Sequence, residues 1–358
     1  MKIVALTTRA VSLPIDVTFG GKAGRMTSIQ YILVELRSDS GHSGLGYTFA
    51  IRPRDVPVLR TGIESLADAV VGQDPLRVEM IWHRMYSESL RYGTHSAAPA
   101  AISAVDVALW DLQGKILGQP VYKLLGGFTD RIPTYASYDL WEALTPSQLA
   151  ENAAAFVRQG FKALKIRTGG STLPQKEAER IRAVREAVGP DVKIMYDALQ
   201  YYAPSEAIAI GRALEPYGLY WLEDPVPEED VEGCARVAAA LDAPVASGED
   251  TSLPEGCYRL MERHAVDILM VDIKRVGGIT PWRKVAAQAE AMHLPVVSHG
   301  VPEISAHLLA AIPNGLTLEY IPWGFDLFSE APSIKDGAFY LENKPGFGLE
   351  LRPEFAKG

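Results

Sequence analysis

Ile194-Met195-Tyr196-Asp197, Tyr220-Trp221-Leu222-Glu223 and Ala246-Ser247-Gly248-Glu249 are three short, mostly apolar runs, each closing on one acid, and the acids are spaced 26 residues apart. Runs this short, set between helical stretches, read as parallel strands buried on both faces. Working outward, the same rhythm gives Pro133–Ser137, Ala163–Arg167, Val192–Asp197, Leu219–Glu223, Pro244–Gly248, Asp267–Asp272, Leu294–Ser298 and Leu316–Glu319. Between the second and third runs, Ile181, Val184 and Val188 fall on one face of a helix over 175–188, and Gly189-Pro190 stops it. Eight strand–helix units predict an α/β fold, a (β/α)₈ TIM-type barrel over residues 126–322. An open doubly wound sheet would carry a glycine fingerprint after its first strand, and none is present.

The first third has another pattern. Residues 28–36 read as a strand, Ser38-Asp39-Ser40-Gly41 as a turn, and Gly44-Leu45-Gly46-Tyr47 as a second strand rich in glycine. A helix follows from about Ala98 to Leu117. Residues 1–125 are therefore expected to form an α+β unit. The tail, 323–358, is rich in Pro, Gly and aromatics, and is expected to pack back on that unit.

Composition narrows the function. A net charge of −9 argues against a nucleic-acid partner, because no basic surface stands ready for phosphates. The two cysteines, Cys234 and Cys257, form no metal-binding or disulfide pattern, which suits a cytoplasmic setting. No apolar run reaches the roughly 18 residues of a membrane span.

Barrel active sites gather where strands end, so the terminal residues of the runs carry the chemistry. One acid after a strand is commonly a helix N-cap. Three on adjacent strands, about 4.8 Å apart, would repel one another unless a hard dication joined them. Asp197, Glu223 and Glu249 are thus candidate ligands of one Mg²⁺ per subunit. Asp272 ends the sixth run and His299 follows the seventh, so the carboxylate can fix the imidazole tautomer and raise its basicity. Glu319 ends the eighth. On the second, Lys165 and Arg167 share a face by the period of two.

The helix from Ala101-Ile102-Ser103-Ala104-Val105-Asp106 to Trp110-Asp111 resembles a signature of the enolase superfamily, in its mandelate racemase group. So do Gly277-Gly278-Ile279-Thr280 and Glu303-Ile304-Ser305-Ala306-His307. The resemblance spans the chain and implies an enolase-like modified barrel under an α+β capping domain. It implies Mg²⁺ on Asp197, Glu223 and Glu249, His299 with Asp272 as the base, and Glu319 as an acid donating to the substrate carboxylate. It makes Lys165 a partner of that carboxylate. Two cap loops, about Asp16–Arg25 and Tyr47–Arg54, would close the site, with Tyr47 in contact. A homo-oligomer acting on a small-molecule carboxylate is expected.

Two departures set the reaction. The family's second strand-two lysine is Arg167 here, and arginine stays protonated. Leu199 stands where many members carry Asn. With one credible base, His299, β-elimination of water needs no second, whereas racemisation does. The expected activity is dehydration of an acid sugar to a 2-keto-3-deoxy acid, with Arg167 a charge clamp on the substrate. A racemase, epimerase or cycloisomerase using Lys165 or Lys274 is the alternative, and a non-catalytic binding protein the remote one.

Overall fold

A computed structural model describes residues 1–18, 24–90, 93, 95, 97–330 and 334–356. Three antiparallel strands open the chain: β1 (Ile3–Thr18), β2 (Arg25–Ser38) and β3 (Ser43–Ala50), in the order β1-β2-β3. β2 and β3 contain the two expected strands. β1 went unread because its polar and β-branched residues, with Pro14 inside, give no clear alternation. The expected loop from Asp16 to Arg25 is the β1–β2 connection, and its residues 19–23 lie outside the described residues. Arg25 and Asp16 pair at its base at 2.8 Å.

The helix Ala97–Leu117 lies across this sheet. The glycines of β3 make the approach possible: a Cβ on Gly44 would sit 2.1 Å from Ala108 O, and one on Gly46 2.2 Å from Ala104 O. Apolar residues line the helix on almost all sides, because its other face meets the second domain.

That domain holds eight parallel strands in sequence order: β4 (Arg131–Ala136), β5 (Ala163–Arg167), β6 (Lys193–Asp197), β7 (Leu219–Glu223), β8 (Val245–Ser247), β9 (Ile268–Asp272), β10 (Val296–His299) and β11 (Gly315–Tyr320). β11 pairs with β4 and closes the barrel. All eight expected runs are strands, displaced at their ends by two residues or fewer. Tyr135, Met195, Trp221, Met270 and Val297 fill the interior, so the barrel is a packed core. Directly after β11 the described chain makes a 3₁₀ turn, Phe325–Leu327, where a regular (β/α)₈ barrel would place a long helix. It continues into β12 (Ile334–Lys335) and β13 (Ala338–Tyr340), which pairs antiparallel with β4.

The two domains meet through the motifs that stood out in the sequence. Asp106 accepts hydrogen bonds from Thr280 N at 2.9 Å and Thr280 Oγ1 at 2.8 Å. Gly278, at φ +112°, passes so close that a Cβ would lie 2.5 Å from Asp106 Oδ2. Asp111 accepts from Leu45 N on β3 and Phe347 N in the tail, which ties the tail to the first domain. Both cysteines are free and buried, and no helix of the described residues is long and apolar enough to cross a membrane.

Candidate active site

Register brings the strand-end residues together. Arg167 pairs with Asp197, Asp197 with Glu223, and Asp272 with His299 across neighbouring strands. Each sits at the carboxyl end of its strand, where the sheet opens toward the first domain.

Lys165 is the hub. Its side chain is fully buried, and its ammonium bonds Glu223 Oε1, lies 2.9 Å from Glu319 Oε1 and 3.6 Å from Asp197 Oδ2. Burial opposes its charge, but Glu223 and Glu319 outweigh burial and hold it well above the ordinary lysine range. Glu223 has a second donor, Trp221 Nε1 at 2.9 Å. Asp197 Oδ1 accepts from Leu199 N at 2.9 Å. Glu249 differs from both: its Oε2 is buried and has no hydrogen-bond partner in the protein. Burial raises the Glu223 and Glu249 carboxyls to about 8, and the neighbouring acids push the same way.

An orphaned carboxylate oxygen beside two more acids is the donor set expected of a hard dication, so the residues fit Mg²⁺. Among the described residues, the acids whose oxygens all approach within 4.8 Å of one another are Asp224, Glu249 and Asp250. The strand-end pattern singles out neither Asp224 nor Asp250, although each directly follows one of the candidate glutamates. Both already have partners: Ser247 Oγ donates to Asp224 at 2.5 Å, and Arg275 pairs with Asp250 at 2.6 Å. Glu249 is therefore the member of that cluster with an oxygen to spare.

On the opposite wall, His299 Nδ1 lies 2.7 Å from Asp272 Oδ2 and its Nε2 lies 3.5 Å from Glu249 Oε1. Asp272 Oδ1 also caps the short helix Ile273–Val276 by accepting from Lys274 N and Arg275 N. Burial would raise the Asp272 carboxyl, yet Lys274 and the His299 hydrogen bond bring it down to about 2. A fixed anion at Nδ1 assigns the Nδ1–H tautomer and leaves Nε2 to accept a proton. Burial disfavours the charged imidazole, but Glu249 and then Asp272 raise it to about 10.

Residues 148–355 match the enolase C-terminal domain-like family, and residues 2–126 match the mandelate racemase / muconate lactonizing enzyme N-terminal domain. The chain belongs to the mandelate racemase / muconate lactonizing enzyme family of the enolase superfamily. A 3,6-anhydro-alpha-L-galactonate cycloisomerase from Streptomyces coelicolor is 32% identical over 92% of this chain and 91% of its own. An L-talarate/galactarate dehydratase from Salmonella typhimurium is 31% identical over 92% of this chain and 83% of its own. A solved structure of L-talarate dehydratase from Polaromonas, complexed with Mg and L-glucarate, superposes with a TM-score of 0.94 at 31% identity and covers 99% of this chain and 96% of that one.

Against the family's pattern, several expected contacts fall elsewhere. Tyr47 is not on a closing loop. It lies within β3, is 4% exposed, and its hydroxyl bonds the buried Glu303 of the barrel helix Pro302–Leu309. Leu199 stands at the mouth with φ +51°, and what it gives Asp197 is a backbone N–H. Lys274 turns toward the first domain, with its ammonium 3.5 Å from the Phe49 ring centroid. Glu319 accepts hydrogen bonds from its neighbours in the protein. Despite burial, Lys165, His299 and Arg167 keep its carboxyl below the usual range, and it accepts from Ser137 Oγ at 2.7 Å and Gly300 N at 2.7 Å. Ser137, which ends the first expected run, drew no attention because a lone serine carries no pattern.

Proposed function

We propose that this protein removes the proton next to a substrate carboxylate and eliminates water from an acid sugar, an aldonate or aldarate, to give a 2-keto-3-deoxy acid. The observation that carries this reading is the inequality of the two walls. His299 offers one tautomer-fixed imidazole. Facing it are Lys165, held protonated among acids, and Arg167, which cannot act as a base. One base suffices for β-elimination, because the imidazolium formed at the α-carbon can return its proton to the departing 3-hydroxyl. Inversion needs a group on the opposite side that gives a proton to the enolate in one direction and takes it back in the other. Lys165, held well above the ordinary lysine range, gives its proton up poorly, and Arg167 keeps its own.

Asp197, Glu223 and Glu249 would hold Mg²⁺, which supplies positive charge for the enolate oxygens. Lys165 would bind the substrate carboxylate from the barrel floor, in place of some of its present contacts with acids. Glu249 and Asp272 hold the His299 imidazole above its ordinary range, and engagement of Glu249 by Mg²⁺ would weaken that pull and favour an Nε2 free to accept a proton. The direction is testable by NMR titration of His299: added Mg²⁺ should lower its pKa, and an unchanged value would remove Glu249 from the ligand set. Relatives named as dehydratases of galactarate, arabinonate and xylonate support the reaction class.

The test is a screen of aldonates and aldarates for keto-acid release, with Mg²⁺ and with chelator. Keto acid formed only with Mg²⁺ supports the reading. Cyclised or epimerised product without keto acid would replace it with the isomerase reading.

A further inference from the structure

Arg167 has little freedom to meet a substrate. Its side chain is 7% exposed, and its guanidinium lies 4.3 Å from the Trp141 ring centroid. Nη1 donates to the Ser137 carbonyl at 2.6 Å and Nη2 to Ser137 Oγ at 3.0 Å. Both oxygens of one serine are thus gripped by one planar fork, a two-point fit that an ammonium cannot reproduce.

Ser137 is fully buried and has one hydroxyl proton. Since Oγ accepts from Arg167, that proton is directed onto Glu319 Oε1, 2.7 Å away. Glu319 Oε2 accepts from Gly300 N at 2.7 Å, and Gly300 directly follows His299. The chain Arg167–Ser137–Glu319–Gly300 therefore runs around the barrel mouth from β5 through the ends of β4 and β11 to β10. The backbone it reaches needs holding. Gly300 has φ +59° and Val301 φ +40°, and a β-branched residue in the left-handed region costs on the order of 1–3 kcal/mol.

We infer that Arg167 is a positioning residue: through Ser137 and Glu319 it tethers Gly300, and so fixes the imidazole of His299 against the α-carbon, and it does not clamp the substrate. The inference rests on the reading of His299 as base, but the tether can be tested apart from it.

The variants are Ser137→Ala, Arg167→Ala, the double variant, and Arg167→Lys, which keeps charge and bulk if the alanine variant fails to fold. The first readout is hydrogen exchange at the Gly300 amide, which needs no turnover. Each variant should lose protection there while the thermal midpoint shows the barrel intact. The second readout is kinetics on whichever acid the wild type dehydrates. Each single variant should lose kcat by about 100-fold, the scale of a misplaced catalytic group, with KM changed by less than about threefold. The double variant should lose clearly less than the product of the two singles, since both break one chain and Arg167 keeps only longer contacts of its own, with Asp197 at 3.6 Å and Glu319 at 3.9 Å. Gly300 exchange unchanged in all variants, additive losses, or a KM raised about tenfold with kcat kept would overturn the tether, the last outcome restoring a substrate clamp. If the wild type dehydrates no acid sugar, the functional reading falls, and the Gly300 exchange still decides the tether.

Discussion

Two groups of buried acids lie on either side of the domain boundary, and they are satisfied in opposite ways. At the joint, Asp106 and Asp111 are at most 1% exposed and bind mainly fixed backbone donors: Thr280 N, Leu45 N and Phe347 N, with Thr280 Oγ1 and Lys115 Nζ in support. At the barrel mouth, Asp197, Glu223 and Glu319 are about as deeply buried. Although Leu199 N and Gly300 N hold one oxygen each of Asp197 and Glu319, all three acids gather on the ammonium of Lys165, with Arg167 beside two of them, and Glu249 keeps an oxygen with no partner. Burial of charge alone does not mark an active site. Backbone donors fix a carboxylate for good, whereas a shared side-chain cation can be redistributed when substrate and metal arrive. The first arrangement holds domains together and the second leaves electrostatic capacity for chemistry.

The contrast is sharpened most by His299→Asn. Loss of the general base is expected to lower kcat by about 10²–10⁴-fold with the thermal midpoint preserved, checked by keto-acid release and calorimetry. A normal rate in this variant would leave the two acid groups functionally alike. Asp106→Ala should do the reverse. It strands Thr280 N–H in a buried joint and should cost about 3 kcal/mol of stability in denaturant titration, with kcat kept once folded. Glu249→Gln comes next. Magnesium affinity should fall in calorimetry, while stability without metal should rise by about 1 kcal/mol as a carboxyl disfavoured by burial, and further by its neighbouring acids, is replaced by an amide. A loss of stability there would make Glu249 a joint-type acid. The smallest effect is expected for Leu199→Ala. The contact with Asp197 is a backbone N–H that alanine retains, so stability should move by less than about 0.5 kcal/mol.

The same distinction explains what could be read in the sequence. The barrel was legible because apolar strands buried on both faces and ended by acids leave a spacing visible in the residues themselves. The acids at 197, 223 and 249, and the Asp272–His299 pair, follow from strand ends alone. Partnering is not written that way. Tyr47 looked like a loop contact until β3 extended to Ala50 and carried its hydroxyl inward to Glu303. Glu319 is legible as a strand-end acid, but its partners Ser137, Lys165 and Gly300 lie on or directly after three other strands. These contacts join residues 19 to 256 positions apart in the chain, and no local pattern encodes them. The long β1 has a local reason for its silence, since a strand in which only Ile3, Leu13 and Val17 are fully buried has little pressure toward strict alternation.

The most direct measurement is turnover in D₂O with Mg²⁺, followed by NMR on an acid sugar drawn from the screen. One base beside a protonated opposite wall requires a 2-keto-3-deoxy acid to accumulate while any recovered substrate keeps its α-carbon configuration. Recovered substrate inverted at that carbon and carrying deuterium, with no keto acid formed, would mean that a second base acts from the Lys165 side, and would contradict the single-imidazole chemistry.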